Sequence, residues 1–300
     1  MVVSNKIQFD NKEISEVIRR LILNKNHRLV IEARITKIFF IKFQEFLKQC
    51  NEFKTSFQES WIDKALDNED VSTEFLQILG GLANKSIENM YGSAKREIVK
   101  EVTKENIKVL RSIFDEKENK ISEINIKLGK KKIVFNAFEA NLLAKNIGIL
   151  YGKVRGGNWS ALGKNVETPL MLTLCKIFSI PKKNFSIKDY NHLSSETNRE
   201  VDFYLLNNNK KLFKCEVKLM GRGNPESGDS VFARDTKIFI ADKLSNKLKK
   251  QLESENIHYI ELDTVGGYKY FSAILKKIEV PFKEYSGDLV KEIDDLISLK

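Results

Sequence analysis

The chain has 300 residues, 42% of them hydrophobic, which is enough for one large domain or two modest ones with a sizeable core. Fifty-one Lys and Arg against 41 Asp and Glu give a formal charge of +10, a balance that favours a polyanionic partner; a well-solvated lysine-rich surface has the same sign. Cys50, Cys175 and Cys215 lie far apart in apolar surroundings and form no CxxC, which argues against a disulfide scaffold or a cysteine zinc site and for a reduced interior. The opening residues are too poor in apolar side chains for a signal peptide. The longest apolar stretch, from Ile35 to Phe46, is broken by Lys37, Lys42, Gln44 and Glu45, so no membrane span is expected and the cytoplasm is the expected location.

From Ile14 to Leu66 apolar residues recur at helical spacing without proline, predicting two or three amphipathic helices. Gly80-Gly81 punctuates the pattern, and the stretch from Ser86 to Phe114 is again helical, with Lys and Glu on its outer face. The segment before residue 129 is therefore expected to be mostly helix. Gly129-Lys-Lys-Lys132 predicts a turn, and Phe135 to Leu150 another helix. Tyr151 to Leu162 carries three glycines with Lys153, Arg155, Asn158 and Trp159, a composition suited to a loop that approaches a partner closely. Arg155 and Asn158 are its candidate contacts to a polyanionic partner, against the alternative of a glycine loop pinned by a packed tryptophan. A helix from Asn165 to Phe178 follows, with Pro169 expected in its first turn and Glu167 at its start.

After a Lys-, Asn- and Ser-rich linker over 181–198 the rhythm changes to short strands. Val201 to Leu206 and Leu212 to Leu219, bridged by Asn207-Asn-Asn-Lys-Lys211, read as an antiparallel hairpin. A strand at 237–241, a helix at 246–255 and a strand at 257–262 complete the order. The expected fold is α/β (α+β), with a mixed central β-sheet flanked by helices and a mostly helical N-terminal region. The expected division is a helical region over 1–140, for DNA recognition or dimerisation, and a catalytic core over 141–300.

The hairpin places charge where strands usually carry apolar side chains. Glu216 and Lys218 are two apart, so both point to one face of a pleated strand, and Asp202 on the neighbouring strand would complete a cluster. Two carboxylates and an ammonium can hold a divalent cation against a phosphodiester and steer a water at phosphorus. Mg²⁺ takes one or two carboxylates and several waters, so Asp202, Glu216 and the backbone carbonyl of Val217 are its candidate ligands. Lys218 is the candidate for positioning the water, and Glu167 is the best remaining ligand candidate. An ordinary cross-strand ion pair would show the same residues, but Phe203, Leu205, Phe213, Cys215, Val217 and Leu219 indicate burial, where clustered charge usually has a reason. The loop after Lys218 carries Arg222, Asn224 and Glu226, with Arg234 close behind. These side chains suit base edges or phosphates, as an alternative to a merely flexible connection. His27, in a helical run, His192 in the linker and His258 in a strand show no zinc spacing.

Val201-Asp202, a turn and Glu216-Val217-Lys218, preceded by a helix bearing Glu167 and followed by strand, helix and strand, resembles the PD-(D/E)XK nuclease superfamily, and within it the type II restriction endonucleases. Cys215 to Asp235, together with Asn158 to Met171, is similar to the CfrBI group of restriction enzymes. The resemblance covers about residues 150 to 265 and implies metal-binding Asp202 and Glu216, a catalytic Lys218 and an assisting Glu167. Val201 departs from the motif's proline at a position that is not a ligand. The expected activity is Mg²⁺-dependent cleavage of double-stranded DNA at a short specific site, leaving 5′ phosphates. Palindromic sites would imply a two-fold homodimer, and the family implies a companion DNA methyltransferase. A nuclease for branched or damaged DNA and a non-catalytic basic DNA-binding module are the competing readings.

Overall fold

The computed structural model describes residues 9–92, 94–115, 123–128, 131–187, 203–219 and 228–299. Along the chain run α1 (Asn11–Ile22), α2 (Arg28–Phe57), α3 (Trp61–Asp67), α4 (Thr73–Gly80), α5 (Asn84–Tyr91), α6 (Arg96–Asp115), the strands β1 (Glu123–Leu128) and β2 (Lys131–Asn136), and α7 (Ala137–Ile177). Then come β3 (Phe185–Ser186), β4 (Phe203–Leu206), β5 (Leu212–Lys218), α8 (Asp229–Ala233), β6 (Ile238–Ala241), α9 (Asn246–Ser254), β7 (His258–Glu261), α10 (Tyr270–Lys277) and α11 (Leu289–Leu296). The chain divides into two compact units, one of Met1–Glu32 with Asn158–Lys300 and the other of Ala33–Gly157.

The first unit is built on a five-stranded sheet in the order β3-β4-β5-β6-β7. The β4–β5 hairpin forms as expected, antiparallel with Phe203 opposite Cys215 and Leu206 opposite Leu212. Its turn is held by Asn207, whose side-chain oxygen accepts the backbone N–H groups of Asn209 and Lys211, while Lys210 takes a left-handed φ of 59°. β5, β6 and β7 are parallel, so each link must cross over the sheet, through α8 and then α9. All four residues of β6 are buried, as a strand covered on both faces requires. Leu248 and Leu252 of α9 pack with Val231, Phe239 and Ala241 over one face. The result is the expected mixed sheet flanked by helices. The linker expected over 181–198 contains the short edge strand β3, whose Phe185 pairs with Leu205 and stacks on Phe203 with ring centroids 5.6 Å apart; residues 188–198 lie outside the described residues.

Among the described residues the second unit is mostly helical, with the β1–β2 hairpin, which the helical reading of this region missed. Its signal is an alternation, Ile124-x-Ile126 and Ile133-x-Phe135, with Ile133 and Phe135 buried between exposed Lys132 and Val134. α7 therefore starts at Ala137 instead of Phe135. A reciprocal cap fixes the start: Glu139 N–H donates to Asn136 Oδ1 at 2.9 Å, and Asn136 N–H donates to Glu139 Oε2 at 2.8 Å. Lys54 and the Trp61 indole also reach the Glu139 carboxylate. Gly80-Gly81 ends α4, with Gly81 in the left-handed conformation at φ 69°.

The expected loop at 151–162 is helix. Three glycines there cost about 1 kcal/mol each relative to alanine. Yet Leu150, Val154, Asn158, Leu162, Val166, Leu170 and Leu174 are all buried, an unbroken i, i+4 series that continues through the glycines. Pro169 accordingly lies inside α7, not in a first turn. It cannot donate to the Asn165 carbonyl, and its own carbonyl accepts the Thr173 hydroxyl at 2.8 Å. The three cysteines are free and buried as expected, and burial pushes each thiol well above its ordinary pKa. His27 sits in the turn before α2, outside any helix. Among the described residues no helix is long and apolar enough to cross a membrane.

Candidate active site

In β5 the side chains alternate, so Cys215 and Val217 take one face and Glu216 and Lys218 the other. The hairpin buries this part of the strand, and the Glu216 residue is only 2% exposed. A carboxylate so enclosed needs compensating donors. Lys218 supplies one, its Nζ 3.2 Å from Glu216 Oε1. The same Nζ lies 3.4 Å from Oε1 of Glu167, which α7 brings in from its buried side at 8% exposure. Lys218 is thus held between two carboxylates, one two residues away on its own strand and one on a helix 51 residues before it in sequence.

Among the described residues, two further side chains reach Glu216. Arg234 Nη1 donates to Oε1 at 3.1 Å, and the Thr236 hydroxyl donates to Oε2 at 3.2 Å. Both follow α8, in the turn that leads into β6. Asp235 between them takes a left-handed φ of 53°, a conformation an aspartate tolerates, while the Arg234 carbonyl accepts Lys214 Nζ and the Lys237 N–H bonds the Lys214 carbonyl at 2.9 Å. The turn is thereby tied to β5 on the residue two before Glu216. Thr236 was not singled out in the sequence, and no local spacing could have found it, because it lies 20 residues from its partner. Arg234, a candidate DNA contact, is found on the carboxylate.

The other candidates fall in three groups. Val217 is fully buried and paired in register with Ile240. Asn158 is 0% exposed inside α7, so the helix encloses the side chain that a loop would have presented; Arg155 is exposed in the other unit, its Nη1 3.4 Å from the Tyr151 hydroxyl. Asp202, Arg222, Asn224 and Glu226 lie outside the described residues. Phe203, which follows Asp202, pairs with Cys215, which precedes Glu216.

Among the described residues no group of three or more His, Cys, Asp or Glu side chains could by itself hold an ion. Among the described residues the candidate donors are the Glu216 and Glu167 carboxylates and the Val217 backbone carbonyl, all hard oxygens. That set fits Mg²⁺, which takes one or two protein carboxylates and completes its shell with water. A buried Glu-x-Lys pair on the central strand of the mixed sheet thus faces a helix carboxylate. The family model for the CfrBI restriction endonuclease matches residues 11–249, and the chain belongs to that family. Membership makes it a nuclease whose substrate is DNA. No curated protein and no solved structure matches the chain.

Proposed function

We propose that the protein is a Mg²⁺-dependent type II restriction endonuclease of PD-(D/E)XK type. It cuts double-stranded DNA at a short specific site and leaves 5′ phosphates. The observation that carries this reading is Lys218 held 3.2 Å from Glu216 and 3.4 Å from Glu167. Glu216, Glu167, Asp202 and the Val217 carbonyl would hold the cation, which when bound supplies positive charge to the phosphodiester oxygens and an acidified water. Lys218, oriented by both carboxylates, donates hydrogen bonds to the attacking water and fixes its line of approach. Arg155, Arg222, Asn224, Glu226 and Arg234 are the proposed DNA contacts, whereas Asn158, enclosed within α7, is not among them; the helical region before residue 140 is assigned to recognition or dimerisation. A palindromic site would be cut by a two-fold homodimer, one active site to each strand, and a companion methyltransferase would protect the same site in a restriction-modification system. The protein would act in the cytoplasm.

The test is incubation of plasmid DNA with Mg²⁺ and wild-type protein, beside Lys218→Ala and Glu216→Ala variants. Discrete fragments are expected from the wild type, with the rate falling on the order of 10³-fold in each variant. Cutting of branched DNA alone would favour a repair nuclease. If the wild type cuts nothing the proposal fails, and if the variants cut like wild type the residue roles fail.

A further inference from the structure

Among the described residues the contacts around Glu216 are unequal. Oε1 meets two cations, Arg234 at 3.1 Å and Lys218 at 3.2 Å, whereas Oε2 receives the neutral Thr236 hydroxyl at 3.2 Å. Thr236 is 2% exposed and Arg234 about a quarter exposed, so the hydroxyl is locked in place while the guanidinium borders solvent. A divalent cation that uses Oε1 must approach a guanidinium already there, and like charges at such distances repel strongly where water is scarce. Resting on the proposed nuclease reading, we infer that Thr236 and Arg234 are positioning residues for Glu216. Thr236 orients the carboxylate through Oε2, and Arg234 holds Oε1 until a divalent cation displaces its guanidinium. Arg234 therefore weakens cation binding to the DNA-free protein, and the released guanidinium becomes available to a phosphate, the anion for which its planar fork is suited.

The experiment titrates Mn²⁺ alone into the full-length, DNA-free protein and counts bound ion from the loss of the free-ion paramagnetic resonance signal. Arg234→Gln is expected to bind Mn²⁺ on the order of tenfold more tightly than wild type. Arg234→Lys, which keeps the charge, is expected to stay near wild type. Thr236→Val should bind more weakly, with Thr236→Ser restoring wild-type binding, a rescue that loss of packing alone would not produce. Thermal melting of each variant confirms that it is folded. If Glu216→Gln abolishes binding but Arg234→Gln shows no gain, this inference is overturned and the nuclease reading stands. If Glu216→Gln binds Mn²⁺ as wild type does, the metal role of Glu216 is wrong and the inference goes with it.

Discussion

At the scale of single residues, the buried charges described in the first unit are surrounded by partners. Glu216 is one case and Asp242, one residue past the end of β6, is another. Asp242 is 1% exposed and takes Arg28 Nη2 at 3.0 Å on Oδ2, with His27 Nε2 3.6 Å from the same oxygen. Burial holds the His27 pKa below its ordinary 6.5; the Asp242 and Asp263 charges oppose that shift and the Arg28 charge adds to it. A histidine with a lowered folded pKa binds fewer protons in the native state than in the unfolded one. Its contribution to stability is therefore complete above about pH 6.5 and is lost as the pH falls from there through the folded pKa. His258 is lowered as well, by burial first, so the comparison must be with a variant. Melting temperature is expected to drop by a few degrees more between pH 7 and pH 5 in wild type than in His27→Gln. Parallel pH profiles by calorimetry would remove His27 from the acid sensitivity.

Among the elements, α7 has the most bearing on function, because it delivers Glu167 to Lys218. Its continuity through Gly152, Gly156 and Gly157 shows apolar periodicity prevailing over composition: the buried series from Leu150 to Leu174 outweighs three glycines and an interior proline. In the second unit, glycine serves a different end. Gly80 ends α4 against α6, where a Cβ would collide with Thr103 Oγ1 and lie 2.9 Å from Thr103 Cβ. Thr103 itself donates to the Leu76 carbonyl at 3.1 Å, so it cannot turn away freely. Gly80→Ala is expected to destabilise the protein by about 1–3 kcal/mol in urea denaturation, with part of the loss recovered in the Gly80→Ala/Thr103→Ala double variant. Additive losses in the double variant would show that the two positions are independent.

For the whole molecule, the charge of +10 predicts that DNA binding is dominated by phosphate contacts and falls steeply with salt. The logarithm of affinity for a fragment the protein cuts, followed by fluorescence anisotropy without Mg²⁺, should decline linearly with the logarithm of salt concentration. A flat dependence would contradict a phosphate-gripping surface. The mixed sheet, the hairpin from Phe203 to Lys218 and the Glu216–Lys218 pair were legible in the chain, because a period of two is a local property that adjacent residues encode. The β1–β2 hairpin was encoded just as locally, in Ile124, Ile126, Ile133 and Phe135, but its alternation is short and lies between strong helical patterns. Arg234 and Thr236 meeting Glu216, and Glu167 meeting Lys218, could not be read from spacing. These contacts join residues 18 to 51 positions apart, and they form only when the crossover through α8 and the buried course of α7 bring separate segments to the same strand.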